Sequence, residues 1–198
     1  MKELIALANE VSRCHECVLR SRCSRTVTGV GLMGADIMAV GQAPGKQEDQ
    51  LGVSFVGPAG QFLSAMLESI GFGGRRVYYT NIIKCFPGRI KGGDAKPPAY
   101  AIEACSAWLR REYELVRPKV ILAIGDVSMK HFGVKGGIKK NTGKVFYTDE
   151  WGPVVPILHP AGLMRRPSDT PHFATGLHIL TTHIEGYWSP PPYSPSEA

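Results

Sequence analysis

Four short apolar segments constrain this chain of 198 residues more than anything else in it: "ADIMAVG" (35–41), "RRVYYTNIIKC" (75–85), "PKVILAIGD" (118–126) and "GPVVPILHP" (152–160). Each is rich in β-branched residues and bounded by Gly or Pro, which is how a buried strand reads. Helical patterns separate them. "AGQFLSAMLESIGF" (59–72) carries apolar residues at 62, 63, 66, 67 and 70, and "PAYAIEACSAWLRREYELVRP" (98–118) and "GDVSMKHFG" (125–133) follow later strands. Strand alternating with helix predicts an α/β fold, a three-layer αβα sandwich around a central, mainly parallel sheet of four strands. Ligands of such sheets bind beyond the carboxyl ends of the strands, so the residues there become the candidates for function.

Those ends are chemically distinctive. The first strand runs into "GQAPGKQEDQLGVSFVGPAG", the second into "TNIIKC", the third into "GDVSM" and the fourth into "HPAGLMRR". The length suits one domain over 1–188, opening with an amphipathic helix, "MKELIALANEVSRC". The tail "SPPPYSPSEA" (189–198) is too poor in apolar residues to order itself. No apolar run is long enough for a bilayer, and the acidic opening helix does not read as a signal peptide, so the expectation is a cytoplasmic protein, nucleoid-associated in a prokaryote. A formal charge of +6 fits a polyanionic partner.

In a reducing compartment five cysteines suggest metal ligands or reactive thiols rather than disulfides. Cys14 and Cys17 form a C-x-x-C pair, Cys85 follows the second strand, and Cys105 lies within the third helix. Two distant thiolates added to such a pair close a four-ligand shell, which suits zinc or an iron-sulfur cluster. Cys23, six residues beyond Cys17, is the less favoured ligand.

The glycine turn "GQAPG" is neither a P-loop nor G-x-G-x-x-G. Taken in order with "EDQLGVSFVGPAG", "TNIIKC" and "HPAGLMR", however, it resembles the iron-sulfur uracil-DNA glycosylases, family 4 of the uracil-DNA glycosylase superfamily, from about Cys14 to Arg165. The resemblance implies a [4Fe-4S] cluster on Cys14, Cys17, Cys85 and Cys105 in preference to zinc. It also implies a monomer acting on uracil in single- or double-stranded DNA. Such an enzyme extrudes its nucleotide and holds the base in a closed pocket. Phe55 corresponds to the phenylalanine that stacks on the base and Asn81 to the amide that reads it, donating to O4 and accepting from N3–H, a pattern that cytosine reverses. Glu48 corresponds to an acid walling the pocket near uracil C5. His159 corresponds to the donor to uracil O2, neutral in an apolar pocket, stabilising charge where it develops. Leu163, Met164 and Arg165 resemble the loop that enters the minor groove. Backbone N–H groups of 41–45 and of Gly57, Ala59 and Gly60 are expected to cradle flanking phosphates.

Two features depart from the family pattern. Near relatives usually carry glutamate at Gln42, and more distant ones aspartate at Ala43, the two residues expected beside the base and the attacking water. A carboxylate there orients water and stabilises a cationic sugar, whereas an amide only orients it. Glu48 or Asp49 could reach the water instead, or Gln42 and the backbone could suffice. The alternative is a protein of the same fold that binds uracil or abasic DNA with weak turnover. The second departure is the long segment between Cys85 and Cys105, where "GRIKGGDAK" (88–96) reads as a mobile basic loop without the histidine by which one related branch traps the sugar.

Overall fold

The computed structural model describes residues 2–91 and 93–185, so the tail at 189–198 lies outside the described residues. In chain order the elements are α1 (Lys2–Ser12), β1 (Ile37–Gly41), α2 (Lys46–Leu51), α3 (Pro58–Ser69), β2 (Val77–Asn81), β3 (Arg89–Ile90), β4 (Gly93–Asp94), α4 (Ala99–Val116), β5 (Val120–Ile124), α5 (Gly125–His131), α6 (Ile138–Asn141), β6 (Phe146–Thr148), β7 (Gly152–Ile157), α7 (Pro160–Arg165) and α8 (Thr170–Glu185).

The four expected strands are β1, β2, β5 and β7, and they pair in parallel in the order β2-β1-β5-β7. The sheet has a fifth strand that the sequence pattern does not announce. β6 adds to the β7 edge in antiparallel sense, Phe146 opposite Val154. At three residues it is too short to show an alternation, which explains its silence in the sequence.

Alternate residues of the strands feed two cores, as the period of two requires. Met38 and Val40 of β1, with Ile121 and Ala123 of β5, pack with Ala101, Cys105 and Leu109 of α4 and Met129 of α5. Their neighbours Ile37, Ala39, Val120 and Leu122 pack with Leu63 and Leu67 of α3, Leu163 of α7, and Phe173, Leu177 and Leu180 of α8. Helices therefore cover both faces, giving the αβα sandwich.

From β1 the chain moves outward to β2 and later crosses to β5 on the other side, so the order reverses between β1 and β5. A crevice opens at the carboxyl ends where the order reverses. Gly41, Asn81, Gly125 and His159 stand at or just past the ends of β1, β2, β5 and β7 respectively. Arg75 and Arg76 precede β2 and so lie at the opposite end of the sheet, and Arg76 is bound to Asp36 at 2.7 Å. The segment expected to be a mobile loop is instead a paired element, with Arg89 opposite Asp94 and its base closed by Ala95 N–H donating to the Gly88 carbonyl at 2.9 Å.

Candidate active site

At this crevice lies a cavity of about 770 Å³, lined among others by Gln42, Phe55, Asn81 and His159. The residues expected to hold a base thus converge from three distant segments. Gly41 shows why this is possible: a Cβ there would collide with Asn81 Oδ1 and approach Phe55 Cζ to 3.0 Å. Only a glycine leaves both side chains room at the end of β1. Gly125, with φ +82°, does the same beside His159, whose Cβ lies 3.3 Å from where its own would be. Phe55 has φ +59°, a strained conformation for an aromatic residue, and such strain gathers at functional sites. Gly60 fits against it, because a Cβ at Gly60 would strike the Phe55 carbonyl.

Asn81 is 3 % exposed and faces the cavity. Among the described residues none hydrogen-bonds to its side-chain amide or to that of Gln42, so both amides are available to a ligand. The backbone around Asn81 is held firmly. Lys84 Nζ donates to the Asn81 carbonyl at 2.8 Å, to Thr80 Oγ1 at 2.8 Å and to Glu112 Oε2 at 2.6 Å, while the other Glu112 oxygen accepts from Gly29 N–H at 2.9 Å. Lys84 and Glu112 hold the end of β2 in place, a role that the motifs do not reveal. The signal available is an acid on the buried stripe of α4, between Leu109 and Val116.

His159 is half-buried on the cavity wall and caps α7, its Nδ1 accepting from Ala161 N–H at 3.2 Å. A ring nitrogen that accepts carries no proton, so the neutral ring bears its hydrogen on Nε2 and has one donor to offer. Desolvation by the cavity walls, with Arg165 adding repulsion, pushes its pKa down to about 4.

Several expected roles change. Glu48 lines the cavity, but its carboxylate is engaged: Oε2 accepts from Gly45 N–H at 3.1 Å and Oε1 from Gly57 N–H at 2.8 Å. It clamps the glycine turn to the start of α3. The Gly57 N–H, expected to meet a phosphate, is used by this clamp. Ala59 and Gly60 remain as first-turn amides of α3 at the cavity, without in-helix acceptors by helix geometry. Asp49 does not reach the cavity either, since Oδ1 accepts from Ser24 N–H at 2.9 Å. Leu163 is no surface wedge: at 4 % exposure it packs in the core, and the exposed apolar residue of α7 is Met164, at 56 %. Ala43 and Arg165 line the cavity.

The cysteines lie together on the far side of "TNIIKC". Burial raises the Cys85 thiol pKa, and Cys23, Cys105 and Cys17 raise it further; burial likewise raises that of Cys105, against a hydrogen bond from the Lys84 N–H, with Cys17 and Cys14 acting in the same sense as burial. Cys23, Cys85 and Cys105 belong to one core cluster with Cys17 packed against it, Cys23 included although it is the less favoured ligand, and Cys14 acts on the Cys105 thiol. Among the described residues no three His, Cys, Asp or Glu side chains converge as ligands of a metal ion. Arg20 Nε is buried there and has no hydrogen-bond partner among the described residues; it borders a hollow shared with His15, Cys17 and Cys23. An orphaned cationic donor beside clustered thiols fits a negatively charged metal-thiolate group.

A family model described as the uracil DNA glycosylase superfamily matches residues 28–180. The chain belongs to the uracil-DNA glycosylase superfamily, in its type-4 branch. It is 36 % identical over 175 residues to a type-4 uracil-DNA glycosylase of Archaeoglobus fulgidus, covering 84 % of this chain and 86 % of that one. A type-4 enzyme of Sulfurisphaera tokodaii is 35 % identical (85 % and 79 % covered), and one of Thermotoga maritima 32 % (85 % and 87 %).

The His159 environment is open to direct test. Nitrogen NMR of the labelled ring is expected to show the Nε2–H tautomer predominating as pH falls from 8 to 5, with a midpoint near 4. Titration near the ordinary value of about 6.5 would remove the basis for a neutral donor.

Proposed function

We propose that this type-4 glycosylase hydrolyses the N-glycosidic bond of uracil flipped out of single- or double-stranded DNA, as a monofunctional enzyme that leaves an abasic site. The observation that carries the reading is the convergence of Phe55, Asn81 and His159 on one cavity. The Phe55 ring supplies the stacking face that replaces the lost neighbours of the base. The Asn81 amide donates to O4 and accepts from N3–H; cytosine exchanges donor and acceptor at these atoms and mismatches the amide in that orientation.

As the N1–C1′ bond lengthens, its electrons move onto the uracil ring and the sugar becomes cationic. The His159 Nε2–H donates to O2, where negative charge accumulates, and it stays neutral because the cavity walls desolvate it. Gln42 orients the water that attacks C1′ through its unengaged amide; the new C1′–O bond replaces N1–C1′, and the proton the water loses ends on the departing uracil anion, leaving neutral uracil and the abasic hydroxyl. Glu48 and Asp49 take no part in that step, since both carboxylates are bound to backbone N–H groups. Stabilisation of the leaving group carries most of the barrier reduction, so turnover is favoured over a purely binding role. Ala59 and Gly60 N–H groups, Met164 and Arg165 face the DNA.

Cys14, Cys17, Cys85 and Cys105 would hold a [4Fe-4S] cluster, with Cys23 as an adjacent fifth sulfur. Bound there, the cluster would tie the amino-terminal segment to α4 and the end of β2, a structural role apart from hydrolysis. In a cluster each cysteine meets a different iron, so convergence on one ion is not required. The protein acts as a monomer in the cytoplasm, with the nucleoid if the source is prokaryotic; none of the described helices is long and apolar enough to cross a membrane.

Incubation with a uracil-containing oligonucleotide followed by alkali is expected to cut at uracil and leave a cytosine control intact. His159→Ala is expected to lower the rate by about 10²- to 10³-fold. Gln42→Glu is expected to raise it, by up to about 10²-fold. Binding of the uracil strand without cleavage by any of these proteins would support a binding role instead. The cluster predicts a brown protein with broad absorbance in the blue and about four irons per chain; a colourless, zinc-bearing preparation would refute it.

A further inference from the structure

The β3–β4 element has no part in the chemistry above, yet it is built onto the cavity. Arg89, Asp94 and Lys96 line the same cavity as His159 and Arg165. The element rests on the glycine turn, with Asp94 Oδ2 3.3 Å from where a Gly45 Cβ would stand. Its base is closed by the Ala95 to Gly88 hydrogen bond, with Arg89 opposite Asp94 and Ile90 opposite Gly93.

The surface of this arm is cationic around one apolar side chain. Ile90 is 64 % exposed, and its chain neighbours are Arg89 and Lys91. The one carboxylate on the arm, Asp94, meets Arg89 at 3.6 Å with both side chains largely solvated. Such a pair is weakly held and gives way readily to a phosphate. Among the described residues neither Lys91 nor Lys96 has a carboxylate partner. Lys139, by contrast, is bound to Asp169 at 2.7 Å. An exposed isoleucine between cations suits a surface that presents phosphates beside the faces of sugars and bases.

We infer that β3–β4 is a second DNA-holding arm: Lys91 and Lys96, with Arg89, neutralise phosphates flanking the extruded nucleotide, and Ile90 packs on the sugar or base beside them. The inference rests on the glycosylase reading and adds a contact surface separate from the α7 segment. The arm supplies affinity and register without reading sequence, because phosphate contacts carry none.

Salt dependence tests it directly. Each phosphate neutralised on duplex DNA contributes about 0.9 to the slope of log K against log salt. With a duplex carrying 2′-fluoro-deoxyuridine, a slowly cleaved substrate analogue, the double variant Lys91→Gln/Lys96→Gln is expected to lower the slope by about 1.8 with no change in melting temperature. Arg165→Gln, made in parallel, is expected to lower it by about 0.9. If Arg165→Gln lowers the slope and the double variant does not, the arm is not a DNA contact and the glycosylase reading stands. If neither lowers it, the DNA-facing assignment of the cavity rim fails together with the arm.

Discussion

The Lys84 ammonium and the Glu112 carboxylate meet at 2.6 Å with almost no solvent on either, an arrangement that persists only when every remaining hydrogen-bonding position is filled. Here they are filled. Thr80, Gly29 and the Asn81 carbonyl complete the group, so a helix (α4), a strand end (β2) and the segment before β1 are fixed against one another. Removing one partner would strand the other charge, at a cost of about 3–5 kcal/mol. The pair also stands between the two chemical regions of the molecule. Asn81 faces the cavity on one side, and the Lys84 N–H reaches Cys105 on the other.

A second set of buried acids joins those regions by another path. Glu48 and Asp49 are neighbours on α2 and point to different partners. Glu48 fastens the glycine turn to the start of α3, and Asp49 accepts from Ser24 N–H just past Cys23. The turn bearing Gln42 is thereby tied both to the strained Phe55 segment and to the cysteine-bearing amino-terminal segment. The proposed cluster on the cysteines would steady the segment on which Asp49, and through it α2, depends. Two carboxylates read from the sequence as possible partners of water act instead as backbone staples.

Much of this was legible in the sequence. Each of the four parallel strands shows a run of apolar residues closed by Gly or Pro, and Phe55, Asn81 and His159 sit in motifs whose order identifies the family. β6 was not legible, because three residues cannot display a period. The helix at 170–185 carries a readable stripe, Phe173, Leu177 and Leu180, that is easily passed over among its threonines and histidines. The roles of Glu48, Leu163 and Cys23 depend on which neighbour a side chain meets in space. Spacing along the chain does not encode that, and a glutamate three residues after Gly45 serves equally as a pocket wall or a cap. The arm at 89–94 escaped for a related reason. Its composition of glycines and basic residues is that of a loop, and only two residues on each side pair.

The account stands or falls on Asn81 as the reader of a pyrimidine held in this cavity. Equilibrium binding of free uracil and free cytosine to the wild-type protein and to Asn81→Asp measures this without DNA or turnover. Wild-type protein is expected to bind uracil well above cytosine, and the aspartate variant to lose most of that preference, because a carboxylate cannot donate to O4. Equal binding of the two bases by the wild type, or an unaltered preference in the variant, would contradict it.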